Sequence, residues 1–273
     1  MILSMDSGVS ALDQFQQQLN VIGNNIANVN TVGFKSATVA FADAFSQTLG
    51  NSSAGSTQVG SGVATASITN QFTQGSITGT GVSSNLAING SGFFIVKDPT
   101  SGQTYATRDG DFSVDSSGYL VTSNGMRLQG YTDSGLTTIG DLQVSNLNAP
   151  SGNTSAVQNY TFGSDGILTV QLADGTQFTG GQVLLQNFTS PTQLLKAGSN
   201  LYSGLAAAGP LATPVAPSSN GVGPLVASSL EMSNVDLAGQ LTSLITTQRA
   251  YEANTKVITT SDEILQDLVN LKR

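Results

Sequence analysis

The chain has 273 residues, more than one average domain needs, so one large or two modest units are expected. It holds no cysteine, histidine or tryptophan, which removes Ser-His-Asp triads, Cys-His pairs and ordinary zinc sites. The net charge of -8, from 9 Lys+Arg against 17 Asp+Glu, argues against the basic footprint that nucleic acid requires, and no apolar run reaches the roughly 20 residues that cross a bilayer.

In chain order, the first element is a helix expected from about Ser4 to about Val29. Leu12, Phe15, Leu19, Ile22, Ile26 and Val29 fall at alternating spacings of three and four, a coiled-coil seam. The start is not read as a cleavable signal peptide, because it has no basic region and carries Asp6 and Asp13. Asn30, Thr31 and Gly33 supply stop signals, with Gly33 as the chain turn. Residues 33–70 are expected as a connecting segment, and "GNSSAGSTQVGSG" (Gly50–Gly62) as a flexible linker by composition.

β-structure is read from about residue 58, and an all-β domain is bounded at 71–204. "DFSVDSSGYLVTSNGMRLQGY" alternates at Phe112 and Val114, turns at "DSSG", runs through Tyr119–Val121, turns at "SNG" and resumes at Met126, Leu128 and Tyr131. "GILTVQLADGTQFTGGQVLLQNF" repeats the theme around Asp174–Gly175. Residues 205–229 are expected as a second connecting segment; four of the seven prolines lie between Leu205 and Pro224.

The last element is a helix of about 35 residues, a rod of roughly 50 Å. Ser233, Asn234 and Asp236 offer N-caps. Leu237, Leu241, Leu244, Tyr251, Ile258 and Leu265 keep heptad spacing, interrupted by Gln248, Thr255 and Asp262, and Leu268 and Leu271 extend the apolar side. The fold class is therefore α+β. N- and C-terminal helices (1–32 plus 230–273) are expected to pair as an antiparallel coiled coil, flexible linkers flanking a central all-β domain.

Candidate chemistry is sparse. "DGDFSVD" (Asp109–Asp115) lacks the glycine and glutamate of a calcium loop, since Val114 and Leu120 hold those places, and acidic turn residues explain it. Asp109 and Asp111 as a carboxylate pair acting on cell-wall glycan form an alternative from another class, without an aromatic-rich cleft to support it. A secreted β-rich adhesin would leave both heptad ends unexplained. No glycine cluster completes a phosphate loop. No catalytic residue, cofactor or metal is expected.

The terminal helices carry the stronger signal. From Met1 to Phe34 the only charged side chains are Asp6 and Asp13, while glutamines and asparagines form the polar face. A neutral amide face suits burial on more than one side, because amides bond to neighbours without the cost of desolvating a charge. Asn24, Asn25 and Asn28 are accordingly read as polar contacts between subunits. An apolar rod left outside a domain points the same way, to self-assembly.

"GNNIANVNTVGFKS" with "FADAF", "LAINGSGFFIV", "YATRDGDFSVDSSGYLV", "GMRLQGY", "SNVDLAGQLTSLITTQRAYEAN" and "ILQDLVNLKR" resemble, in order along nearly the whole chain, the bacterial flagellar axial proteins of the rod and hook family. The resemblance implies a non-enzymatic subunit, exported through the flagellar type III apparatus and polymerised helically into a tube. Terminal helices would form the inner wall and the β domain the outer shell. Implied partners are further copies of the chain, adjoining rod and hook-filament junction proteins, and the hook cap and export apparatus during assembly. Neither nucleic acid nor membrane insertion is implied. The implied place is the hook-basal body, extracellular for a hook and periplasmic for a rod. "NTVGFKSATVAFADAF", "ITNQFTQGSITGTG" and "LVNLKR" are similar to hook sequences and put a short hook protein first. The alternative is a distal rod subunit, which the length and the short connection around "NLNAPSGNTSAVQ" favour.

Overall fold

A computed structural model of the protein describes residues 2–52, 55–150, 153, 155–211 and 213–271. The chain forms two compact units. One comprises Met1–Val29, Ser36–Gln71 and Val235–Arg273, the other Asn30–Lys35 and Phe72–Asn234.

The first unit is built on two helices, α1 (Ile2–Ala27) and α2 (Leu237–Leu271), packed against each other. The Asp236 carboxylate accepts a hydrogen bond from the Ala238 N–H at 3.1 Å, the N-cap that the sequence offers. α1 stops two residues short of the expected Val29. There the Asn28 side chain donates to the Asn24 carbonyl at 2.9 Å, which also accepts the Asn28 backbone N–H at 3.2 Å. A β-ribbon lies on α1. Strands Ala37–Asp43 and Val63–Asn70 pair antiparallel with a bulge between Ala40 and Phe41, and Ser46–Ser52 pairs with Gly55–Gly60. Phe15 meets Phe41 edge to face at 6.3 Å between centroids, and the Thr65 hydroxyl bonds the amides of Gln14 and Gln17.

These strands correct the reading of residues 33–70 as a connection. "VATASITN" alternates apolar and polar residues and is rich in β-branched side chains, which is strand chemistry. The Gly/Ser composition belongs to the outer ribbon, of which residues 53 and 54 lie outside those described. The glutamine face of α1, expected against neighbouring copies, is partly covered by this ribbon.

The second unit is antiparallel β. Its main sheet has 12 strands among the described residues. Along the principal path the order is Val157–Phe162, Ile167–Leu172, Gln177–Val183, Arg127–Tyr131, Phe93–Lys97, Thr104–Thr107, Leu201–Ser203 and Leu195–Gly198. Phe93–Lys97 is buried on both faces. Phe94 and Val96 enter the main core with Leu120, Leu128, Leu168 and Val183, whereas Phe93 and Ile95 enter a smaller aromatic core with Phe188 and Tyr202. A continuous apolar run, rather than alternation, is what a strand between two cores requires. The predicted hairpin series is present as Phe112–Val114, Leu120–Thr122 and Arg127–Tyr131, with Gly118 and Gly125 at φ 86° and 76° in its turns.

Residues 205–229 are not a loose linker. Ala208, Val222 and Leu225 are buried, and bridges join Val215 to Leu185 and Pro210 to Phe188. The prolines limit this stretch to isolated bridges, because each removes a backbone donor. Beyond them, Leu225–Ala227 pairs with Leu86–Ile88, and Ser229–Glu231 pairs with Ile77–Gly79.

Candidate functional site

The helix seam of the first unit is the first candidate. On α1, Ile22 is buried and Leu12, Phe15, Leu19 and Ile26 are half-buried, as is Val29 just beyond its end. On α2, Leu244, Tyr251, Ile258 and Leu265 are half-buried at seven-residue intervals. Between them fall Gln240, Thr247, Asn254 and Ser261, of which Thr247 and Ser261 are buried. The seam therefore alternates apolar with small polar residues, at positions different from the expected interruptions Gln248, Thr255 and Asp262. Three of these polar residues donate to the preceding turn. Thr247 donates to Ser243 O at 2.7 Å, Ser261 to Val257 O at 2.8 Å and Asn254 to Ala250 O at 3.0 Å. Leu237 and Leu241, read as seam residues, are 43% and 50% exposed. Leu237 is the first residue of α2, and Leu241 stands one position beyond the seam residue Gln240. The side chain of Leu268 lies outside those described.

The asparagines divide. Asn24 is exposed and Asn28 half-buried, but Asn25 is 1% exposed. Its amide donates to Ala37 O at 2.9 Å and to Gln240 Oε1 at 3.2 Å, while its Oδ1 accepts from Ala37 N–H at 3.0 Å. Asn25 is thus committed within its own chain, not to a neighbouring subunit. A buried amide side chain offers donors and an acceptor together, which is what a strand start facing a second helix demands.

The second candidate lies in the β unit. Gly33 has φ +67°, and a Cβ there would approach the backbone of Arg108 and Asp109 to 2.7 Å, so only glycine fits. Its N–H donates to Glu231 O at 2.8 Å. Two residues on, the buried Lys35 ammonium pairs with Glu231 Oε1 at 2.7 Å and donates to Thr73 O at 2.8 Å. Arg108 pairs with Glu231 Oε2 at 3.2 Å, donates to Gly90 O at 2.9 Å and lies over the Phe93 ring. Gly75 N–H also donates to Glu231 Oε1, at 2.9 Å. One carboxylate therefore joins three stretches, 30–35, 72–75 and 229–234, around Arg108.

Burial pulls the Lys35 ammonium below its ordinary range, against the attraction of Glu231, and lowers Arg108 in the same way. Burial likewise pushes the adjacent Tyr202 hydroxyl up. Among the described residues, Arg108 Nε and Asn85 Oδ1 are buried without a hydrogen-bond partner. Further ties hold the same segment: Asn200 donates to Val32 O at 2.6 Å, and Lys196 donates to Lys35 O at 3.1 Å while lying over the Phe34 ring. This cluster ties separate segments of the one chain together, most of its polar groups facing one another.

The acidic stretch Asp109–Asp115 acts in turns. Asp109 accepts from Asp111 N–H, and Asp115 accepts from the N–H groups of Ser117 and Tyr119. Burial raises the Asp109 carboxyl to about 6. Among the described residues no group of three His, Cys, Asp or Glu side chains gathers as a metal site.

Lys35, Arg108 and Glu231 escaped the sequence reading, although a signal existed. Lys35 is the only charged residue between Asp13 and Asp43, and Glu231 the only one between Lys196 and Asp236. Opposite charges isolated in uncharged surroundings are candidates for a buried pair.

Three family models match the chain: "Flagella basal body rod protein" over residues 5–35, "Flagellar hook protein FlgE/F/G D1 domain" over 87–170, and "Flagellar basal body rod FlgEFG protein C-terminal" over 226–271. The chain is 41% identical to the flagellar basal-body rod protein FlgG of Bacillus subtilis, covering 100% of both chains. To the FlgG of Caulobacter vibrioides it is 39% identical, over 94% of this chain and 95% of that one. To the flagellar hook protein FlgE of Treponema pallidum it is 45% identical, but over 48% of this chain and 30% of that protein. End-to-end identity of this order, with both terminal signatures and the β domain matched, places the protein in the bacterial flagellum as a member of the flagellar basal-body rod and hook protein family.

Proposed function

We propose that the protein is a structural, non-enzymatic subunit of the flagellar rod, the distal drive shaft, polymerising helically with copies of itself. One observation carries this reading. Relatives named as rod proteins match from end to end, whereas the hook relative shares only 30% of its own length. It replaces the hook reading that the sequence put first.

Within such a tube the terminal helices are assigned to an inner, antiparallel coiled-coil layer and the β unit to an outer one. Contacts at two places support the antiparallel pairing. Near the start of α1 a Cβ on Gly8 would lie 3.2 Å from Ile258, and near its end Asn25 meets Gln240. The residues assigned to this layer are the seam positions of α1 with Leu244, Tyr251, Ile258 and Leu265. Asn24 and Asn28 are assigned to contacts between subunits. Export through the flagellar type III apparatus and contact with adjoining axial proteins belong to the same proposal.

The test is location. A tagged, complementing copy is visualised by electron microscopy of purified hook-basal bodies. Label confined to the rod is the expected result, and label along the hook overturns the proposal.

A further inference from the structure

We infer that Glu231 is a folding lock, whose arrival closes the β unit and without which its first half stays open. Lys35 and Arg108 precede it by well over a hundred residues, yet both are buried against its carboxylate. Among the described residues Glu231 is the only carboxylate paired with either cation. Burying two cations without their counter-ion is strongly unfavourable, so 30–35 and Arg108 remain hydrated until residue 231 is present.

Backbone pairing repeats the dependence. Leu86–Ile88 is fully buried and finds its partner strand in Leu225–Ala227; Ile77–Gly79 finds its own in Ser229–Glu231. Gly33 N–H and Gly75 N–H both end on Glu231. By contrast, Val157–Phe162, Ile167–Leu172 and Gln177–Val183 form a local meander whose ladders are internal, and its one backbone tie to 225–231 is the Ser164 carbonyl in a turn, which accepts from Leu225 N–H at 2.9 Å. A chain delivered from its N-terminus therefore completes the meander first. It holds residues 30–35 and 77–88 open until nearly its whole length has emerged. The inference rests on the β unit alone and stands whether the subunit belongs to rod or hook.

Pulse-labelled hydrogen exchange during refolding of the full chain tests it. In the wild type, amides of 30–35, Ile77–Gly79, Leu86–Ile88 and 225–231 should gain protection in one phase, after the meander. Glu231→Gln should slow that phase at least tenfold while leaving the meander within twofold of wild type. Lys35→Met in the Glu231→Gln background removes one unpaired cation and should recover at least threefold of the loss. Equal slowing of the meander, an unchanged closing phase, or no recovery on adding Lys35→Met would overturn the lock. If Glu231→Gln never regains protection in these segments, the double variant still decides by the same criterion.

Discussion

Asn25 offers the sharpest test of how the first unit is held together. The side chain is 1% exposed and makes three hydrogen bonds, two to the backbone of Ala37 and one to Gln240. Asn25→Ala leaves an N–H, a C=O and an amide oxygen without their partner. At about 1 kcal/mol for each half-buried group, the loss is roughly 2–4 kcal/mol. Asn25→Asp keeps the acceptor for Ala37 N–H but turns the donor into a carboxylate oxygen. Gln240 can rotate its amide to meet that oxygen; the Ala37 carbonyl cannot, and a charge is buried. At neutral pH Asn25→Asp should therefore be at least as destabilised as Asn25→Ala.

Its pH dependence separates the two. Burial and the opposed carbonyl raise the introduced carboxyl above its unfolded value near 4 in the folded state, so the native state binds more protons and stability falls as pH rises. Urea unfolding followed by far-ultraviolet circular dichroism, at pH 4 and pH 7 beside the wild type, reads this directly. Asn25→Asp should recover most of its deficit at pH 4, and Asn25→Ala should not. A variant within about 0.5 kcal/mol of wild type at pH 7, or with the same deficit at both pH values, would refute the assignment of Asn25 as a buried donor.

Two more expectations concern the β unit. Gly33→Ala forces a side chain into a left-handed backbone against the Arg108–Asp109 peptide, and should cost at least about 2 kcal/mol, lowering the thermal midpoint by roughly 4–8 °C in differential scanning calorimetry. Asp109, raised by burial to about 6, favours the folded state only while protonated, so its contribution is present below its unfolded pKa and is lost as pH rises through about 6. Asp109→Asn should thus match the wild type at pH 4 and exceed it by about 2 kcal/mol at pH 8, read from urea midpoints; equal midpoints at pH 8 would show that the carboxyl is not penalised in the fold.

Local chemistry was legible in the sequence, and long-range pairing was not. α2 was bounded by a heptad repeat and the Asp236 cap, both short-range signals. The hairpins around Gly118 and Gly125 were bounded by turns whose left-handed glycines the sequence names. The strands on α1 were hidden because their partners lie 20 to 33 residues apart across a Gly/Ser-rich stretch whose composition suggests a linker. The charge cluster was hidden for a similar reason, since Lys35 and Glu231 are 196 residues apart. A pair at that separation leaves only one local trace, two charges each standing alone in uncharged sequence.

The seam shows what periodicity alone misses. A search for apolar heptads selects Leu237 and Leu241, yet the polar half of the seam runs through Gln240, Thr247, Asn254 and Ser261, of which Thr247 and Ser261 are buried. Small side chains that return their hydrogen bonds to their own helix let two backbones approach without leaving polar groups unmet. They also bury less apolar surface than leucines would, so the pair is weakly held by its own contacts. Meanwhile Leu241, Ile245, Val257 and Ile264 remain about half exposed, apolar surface that a lone soluble chain has reason to avoid. A weak inner seam with exposed apolar residues to either side of it fits one arrangement: helices that become fully stable only where copies of the chain cover those residues, the condition that the proposed polymer supplies.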